Sequence, residues 1–436
     1  MKLLIVGKSA FSRVIDGTRV PISIAGHTVQ LIRPLTAYAL ARGFSVSYAY
    51  PLTASASDCL MFDPDDEVPS GLVEVPFTDP EAPKSPLHVG WLAVEAAIRQ
   101  AAGRLGGLDW VVLASTFPLA PFLADLRWKY GYKLALLIRG GDGYQWLDPD
   151  WAARTFGDID RAREVCRIYG DSLRSADFVG VASRWLGSVI EERGIRWDAV
   201  VESPAAAWAG PSPEPRWDKS RFAADTGVVR RLGYLDPTKK WLVSAGRFHP
   251  DKRLDLTSGI FSGAALKGWQ LIFSGVGATR EEIEDDLMLA LVDKGAACVI
   301  EVPPRIVYAL FKVCDACLHT ALPSATFIDA RPSSVTSAAF HGKPVIAPLA
   351  PAGGVTESLS PENVQAYCFD VQDVDPADRA EVVRRGVDAT LRLQDTDVLL
   401  RVGAANARHA SSSAAASVFD DLLARLSRLP ARGKPG

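Results

Sequence analysis

Residues 317–347 read CLHTALPSATFIDARPSSVTSAAFHGKPVIA, and the order of residue types in this stretch decides the fold. Cys317 to Leu322 is a short apolar run of strand length, and a loop with Pro323, Ser324, Asp329, Arg331 and Pro332 follows it. Ser333 to Phe340 has hydroxyls in its first turn and apolar residues behind them, which predicts a helix that Gly342 closes. Pro344-Val345-Ile346-Ala347 then starts another buried strand. A strand–loop–helix–glycine–strand unit leaves backbone N–H groups without intrahelical partners at the helix N-terminus, where phosphate or a polarised sugar hydroxyl is attracted. The expectation is that this loop holds an activated, anionic small molecule.

The same alternation extends in both directions. Lys2 to Val6 is a buried-type strand ending at Gly7, and a long polar loop through Asp16-Gly17-Thr18 to Gly26-His27 comes after it. The glycine pattern of a dinucleotide-binding turn is absent there. Helical spacing over 28–42, a strand over 44–50, a helix over 91–105 and a strand at 110–114 with Ser115 at its end continue the pattern. A strand at 132–138 runs into Arg139-Gly140-Gly141-Asp142, and 159–175 and 177–181 read as helix and strand. Ser183 is placed to cap a helix beginning at Arg184. Residues 209–236 turn to Pro, Gly and charge, and strands return near 241–247, 269–273, 297–302, 317–322, 344–347 and 366–369. The division predicted is an N-terminal domain at 1–208, a connection at 209–238, a C-terminal domain at 239–405, and a final helix and tail at 406–436 that can cross back. Each half is a parallel, doubly wound α/β domain, whose ligands sit beyond the carboxyl ends of the strands.

Size and charge narrow the function. At 436 residues, 48% hydrophobic and with net charge −3, the chain can bury two ordinary cores and has no overall attraction for nucleic acid or an anionic membrane surface. No run approaches the roughly 18 apolar residues of a membrane span, and the N-terminus lacks a long apolar core with a cleavage site, so a cytoplasmic protein is expected. Six cysteines are scattered, and the one close pair, Cys314 and Cys317, has no second CxxC and no histidine pair to complete a zinc site. No metal and no cofactor is expected, and Cys314 and Cys317 read as packed residues. His319 and His341 read as satisfied histidines rather than catalysts. Trp146, Trp185 and Trp208 read as core rather than as the wall of an acceptor cleft.

Several segments together resemble a known family. The stretch 241-WLVSAGRFHPDKRLD-255 is similar to the Gly-Arg…Lys segment of the retaining family-four glycosyltransferases, and 314–347 to their PS…E-x7-E-A-x-x-x-G-x-P-V segment. The runs 271-LIFSGVG-277, 352-AGGVTE-357, 138-IRGGD-142 and 176-ADFVGVASRWL-186 resemble further motifs of that family in the same order. The resemblance covers nearly the whole chain and rests on order and spacing more than on any single motif. It implies a GT-B fold, two Rossmann-like doubly wound domains facing across a cleft, and a sugar carried by a GDP- or UDP-linked donor.

By that resemblance Arg247 and Lys252 grip the leaving diphosphate, where fixed cations stabilise growing negative charge. Without it they are two solvated charges in a βα loop. Asp329 stands at the first carboxylate of E-x7-E, as a sugar contact or as a loop aspartate. Gly246, Gly275, Arg331, Ser333, Ser334, Ser337 and Glu357 complete the donor side, and Gly26, His27, Ser115, Arg139 and Asp142 the acceptor side. Ser337 departs from the family pattern, since it replaces a glutamate that holds the nucleotide ribose, and a hydroxyl lacks the charge-assisted bonds of a carboxylate. Ribose recognition would then be weaker, water-mediated, or moved to Glu357 or Ser333. The family's Asn-Gly turn before the connection is replaced by 202-ESPAAAW-208.

The resemblance thus implies a retaining, metal-independent transfer to a small-molecule acceptor. Its departures point to antibiotic or other secondary-metabolite biosynthesis, or to low-molecular-weight thiol biosynthesis, where a lincosamide-type enzyme with a thiol acceptor is one form. Two other readings stay open: a sugar-nucleotide epimerase or hydrolase on the same layout, and a non-catalytic sugar-nucleotide-binding partner subunit.

Overall fold

Runs of aliphatic and β-branched residues buried on both faces make parallel strands, and two sheets of them organise the molecule. The computed structural model describes residues 1–7, 12–15, 18–24, 31–51, 60–62, 71–77, 91–114, 119–139, 146–201, 217–225, 231–246, 252–275, 292, 295–300, 304–322, 331–349, 353–375, 378–413 and 417–429. The chain divides into two units, one of Met1–Ala207 with Ala416–Gly436 and the other of Trp208–Ala415.

In the first unit, β1 (Lys2–Val6), β4 (Ser45–Pro51), β6 (Val73–Phe77), β7 (Trp110–Leu113), β8 (Lys133–Ile138), β9 (Phe178–Val181) and β10 (Ala199–Val200) form one sheet. Its order is β10-β9-β8-β7-β1-β4-β6, and every neighbouring pair is parallel. The chain builds outward from β1 to β6 and then returns to the other side of β1 at β7, so the topological switch lies between β1 and β7. Leu3 and Ile5 share a core with Leu35 and Ala39 of the helix Arg33–Ala41 and with Phe419, Leu422, Leu423 and Leu426 of the helix Ser417–Arg428. The Trp110 indole N–H donates to the Leu426 carbonyl at 3.1 Å, which anchors that last helix to β7.

The long first loop expected between residues 7 and 27 is instead partly strand. β2 (Ser12–Ile15) and β3 (Thr18–Ile24) pair antiparallel, and β5 (Leu60–Phe62) joins β3. The alternation Val20, Ile22, Ile24 is the strand signal that the polar residues around Gly17 obscure.

In the second unit, β11 (Arg231–Leu232), β12 (Lys240–Ala245), β13 (Trp269–Gly275), β14 (Ala297–Ile300), β15 (Ala316–Leu318), β16 (Val345–Leu349) and β17 (Cys368–Asp370) stand in the order β11-β14-β13-β12-β15-β16-β17. Only the β11–β14 edge pair is antiparallel. The sheet is buried on both faces: Trp241 and Val243 of β12 enter one core cluster and Leu242 the other, as a period of two requires. Phe222 and Leu235, from the Pro- and charge-rich stretch read as a connection, lie in the first of those clusters. Here the chain runs β12-β13-β14 in one direction and resumes at β15 on the opposite side of β12, which puts the switch between β12 and β15. No helix among the described residues is long and apolar enough to cross a membrane.

Candidate functional site

Ligands of an open parallel sheet bind beyond the carboxyl ends of its strands at the topological switch. In the second unit that place is a narrow recess lined by Ser244 from β12, Gly246 just past it, Ser274 from β13, His319 and Thr320 after β15, and Lys252. The Lys252 stem lies over Gly246, its methylenes 3.6 Å from where a Cβ on that glycine would stand. Ser274 is 2% exposed, and its hydroxyl has no hydrogen-bond partner among the described residues. A buried hydroxyl left this way is costly unless something else supplies its partner, so the recess is suited to an oxyanion or a water.

The turn that carries Lys252 has an unusual backbone. Arg253, which precedes the helix Leu254–Ala264, has φ 49° and ψ 51°, a left-handed conformation that a residue with a Cβ rarely adopts. Its guanidinium binds Asp255 through two bonds, Nε to Oδ1 at 3.0 Å and Nη2 to Oδ2 at 3.2 Å, and Arg379 stands 3.4 Å from the same carboxylate. Burial alone would raise the Asp255 carboxyl, but the Arg253 bond and the two guanidinium charges outweigh it and hold the group below the ordinary range. The helix behind the turn packs tightly on Arg379–Leu391. A Cβ on Gly259, Gly263 or Gly386 would come within 2.9, 2.7 or 2.4 Å of Val383, Val387 or Ile260.

The helix Ser333–Phe340 starts at Pro332 with no side-chain cap on its first N–H groups. Ser333 is exposed and Ser334 half-buried, so this first turn, with buried Arg331 just ahead of it, is the second anion-attracting element on the C-terminal side of the sheet. Ser337 is different. It is 3% exposed, and its hydroxyl lies 2.7 Å from the Ser333 carbonyl and 3.2 Å from the Tyr308 hydroxyl. With its single proton given to the carbonyl, Ser337 accepts from Tyr308, whose pKa burial raises. Its hydroxyl is therefore engaged within the fold. Thr336 reaches the Ser358 hydroxyl at 3.0 Å and so ties the helix to the turn Thr356–Ser358, which holds half-buried Glu357. The Glu357 carbonyl lies 3.3 Å from His409 Nε2. Gly275 ends β13 and is buried at the same sheet edge. His341 packs against Phe340 and Tyr308 beyond the far end of the helix.

Of the residues read from the sequence, Gly246 and Lys252 meet in the recess, while Arg331, Ser333, Ser334 and Glu357 belong to the neighbouring helix start and the turn tied to it. Arg247 and Asp329 lie outside the described residues, as do Gly26, His27, Ser115 and Asp142 of the acceptor set. Arg139 directly follows β8 in the first unit, 7% exposed, with Nη1 donating to the Val201 carbonyl at 3.4 Å. Trp146 is buried with its ring edge against Trp151, Trp185 is half-buried, and Trp208 lies outside the described residues. Cys314 and Cys317 are buried free thiols, and burial pushes Cys314 up to about 12. No cluster of metal-ligating side chains is found among the described residues. Sequence reasoning missed Ser244, Ser274 and Thr320 in the recess, since serines inside strands and a threonine just past one carry no motif, and His319, read as a satisfied histidine, lines it as well.

The two sheets, each doubly wound and each with its switch beside its first parallel strand, define the GT-B fold of glycosyltransferases. Similar solved structures include the Anabaena protein HepE in complex with UDP-glucose, at TM-score 0.64 and 15% identity over 98% of this chain and 100% of that one. WaaG, a glycosyltransferase involved in lipopolysaccharide biosynthesis, is similar at TM-score 0.60 and 12% identity over 98% and 100% of the two chains. OtsA in its apo form follows at TM-score 0.59 and 12% identity over 99% and 100%. No protein-family model and no curated protein matches the sequence.

Proposed function

We propose that this protein is a retaining glycosyltransferase that moves a sugar from a UDP- or GDP-linked donor to a small-molecule acceptor. The observation that carries the reading is the recess at the β12/β15 switch, which Lys252 and Ser274, with its buried hydroxyl, both line. A diphosphate seated there meets a cation and a donor hydroxyl, and the uncapped helix start at Ser333 adds N–H groups. The complexes of HepE with UDP and with UDP-glucose support a UDP-linked donor on this fold.

Chemistry follows from what the site supplies. As the bond from the sugar's anomeric carbon to the diphosphate oxygen breaks, negative charge grows on the diphosphate, and Lys252 together with Arg247 stabilises it without a metal. The acceptor atom bonds to the anomeric carbon on the face the diphosphate leaves, and its proton passes to the departing phosphate oxygen. Binding and orientation carry most of the work. Ribose recognition falls to Ser333 or Glu357, because the Ser337 hydroxyl is engaged with Ser333 and Tyr308. The acceptor we propose belongs to secondary metabolism or is a low-molecular-weight thiol, on the strength of the departures at Ser337 and Arg331 from the resembled pattern.

Incubation with a panel of UDP- and GDP-sugars and candidate acceptors, following free diphosphate and new glycoside, tests this. Acceptor-dependent release with the anomeric configuration kept is the expected result. Release without acceptor would indicate a hydrolase instead, and binding with no turnover a non-catalytic subunit.

A further inference from the structure

The Lys252 turn is held in its left-handed shape from across the sheet. Thr320, just past the end of β15 and 3% exposed, places its hydroxyl 3.1 Å from the Lys252 carbonyl and 3.2 Å from the Arg253 carbonyl. The same hydroxyl is 2.7 Å from that of Thr257, which is fully buried in the helix Leu254–Ala264. Each hydroxyl has one proton. If Thr320 gives its proton to the two carbonyls, Thr257 must donate to Thr320, and the set is satisfied with none left over. The carbonyls it grips are those on either side of the Arg253 φ and ψ rotations, the pair whose relative direction defines the left-handed turn.

A left-handed non-glycine residue costs roughly 1–3 kcal/mol and persists only where the surroundings over-determine it. At Arg253 the bidentate contact with Asp255, the Leu256 and Thr257 N–H groups on its carbonyl, and the Thr320 grip all do so. Of these the Thr320 grip is the one that also holds the Lys252 carbonyl. We infer that Thr320, supported by Thr257, is a positioning residue that sets Lys252 over Gly246 and so tunes how the recess holds a diphosphate. This rests on the donor-site reading above and adds the residue that makes Lys252 effective.

The test is a double-mutant cycle on the full chain, read by calorimetric titration with UDP and with GDP. Lys252→Ala should weaken binding at least about tenfold, Thr320→Val about three- to tenfold, and Thr320→Ser less than about twofold, since serine keeps the hydroxyl. In the Lys252→Ala background Thr320→Val should add less than about twofold, because its effect passes through that lysine. A Thr320→Val loss of equal size in both backgrounds, or none in either, overturns the positioning role while leaving the donor site intact. If Lys252→Ala binds as tightly as wild type, or wild type binds neither nucleotide, the donor-site reading itself fails and the inference with it. Should Thr320→Val not fold, Thr257→Val takes its place in the cycle, with the same interpretation and a smaller expected loss.

Discussion

Lys252 is where charge, backbone and recess converge. In the transfer reaction its loss removes a charge-assisted bond to the diphosphate, and Lys252→Ala should cut kcat/KM at least about tenfold in steady-state assays, the equivalent of about 1.4 kcal/mol of transition-state stabilisation. An unchanged kcat/KM would remove it from the site. His341 makes a different prediction. Burial, helped by the Lys343 and Lys312 ammonium groups, pushes it down from 6.5 to about 4. In the unfolded chain the imidazole takes up its proton near pH 6.5, whereas in the folded chain it stays neutral until about pH 4. Between those values the unfolded state binds more protons, so stability falls as the pH falls, by at most about 3 kcal/mol at pH 4. Denaturant titrations at pH 7 and pH 4.5 should show His341→Gln losing less stability to acid than wild type; equal losses would exclude His341 as a source. Among single residues, the sequence made Lys252 readable because a charge five places after Gly-Arg has a family counterpart. Thr320 was not, since the carbonyls it grips lie 67 and 68 positions away and no local pattern encodes such a pairing.

At the scale of elements, the helix Ser333–Phe340 and its exit are held by close approach and a closed amide network. Gly342, with φ 68°, meets Gly403 of the helix Thr396–Ser413, where a Cβ would stand 2.3 Å from the Gly342 carbonyl oxygen. Gly403→Ala would gain about 1 kcal/mol of helix propensity. The clash is with backbone, which cannot swing aside, and overpacking of this kind costs about 1–3 kcal/mol, so a net loss of thermal stability is expected in a melting experiment. A Tm at or above wild type would show that the helices separate freely. Beside it, Asn363 receives the Val345 N–H and donates to the Val345 carbonyl, each at 2.8 Å, and Asn406 bridges Asn363 to the Lys343 carbonyl. The bounds of the Ser333 helix were legible because hydroxyls open it and a left-handed glycine follows it. The same cues hid β2 and β3, whose alternation is interrupted in the sequence by Asp16-Gly17 and crosses Pro21, and so resembles a loop. The expected strand at 317–322 is shorter than its apolar run, because β15 stops at Leu318 and His319 and Thr320 turn toward the recess.

Across the whole molecule, alternating strands and helices made both doubly wound sheets legible, while strand order was not, since pairing partners are set by crossovers that leave no local trace. The C-terminal helix Ser417–Arg428 belongs to the first unit, where Phe419, Leu422, Leu423 and Leu426 enter the core. Four such side chains at roughly 1.5–3 kcal/mol each amount to much of the stability of an ordinary domain. A chain ending at residue 413 should therefore lose the cooperative calorimetric transition of the first unit, and its retention would show that the helix only decorates that surface. The proposed transfer depends on a donor diphosphate seated at the β12/β15 switch of the second unit. Calorimetric titration of UDP and GDP into wild-type protein and Lys252→Ala measures that directly. Saturable binding of one nucleotide by wild type, weakened at least about tenfold in the variant, is the predicted result. Equal binding by both proteins, or no binding by wild type, would contradict it.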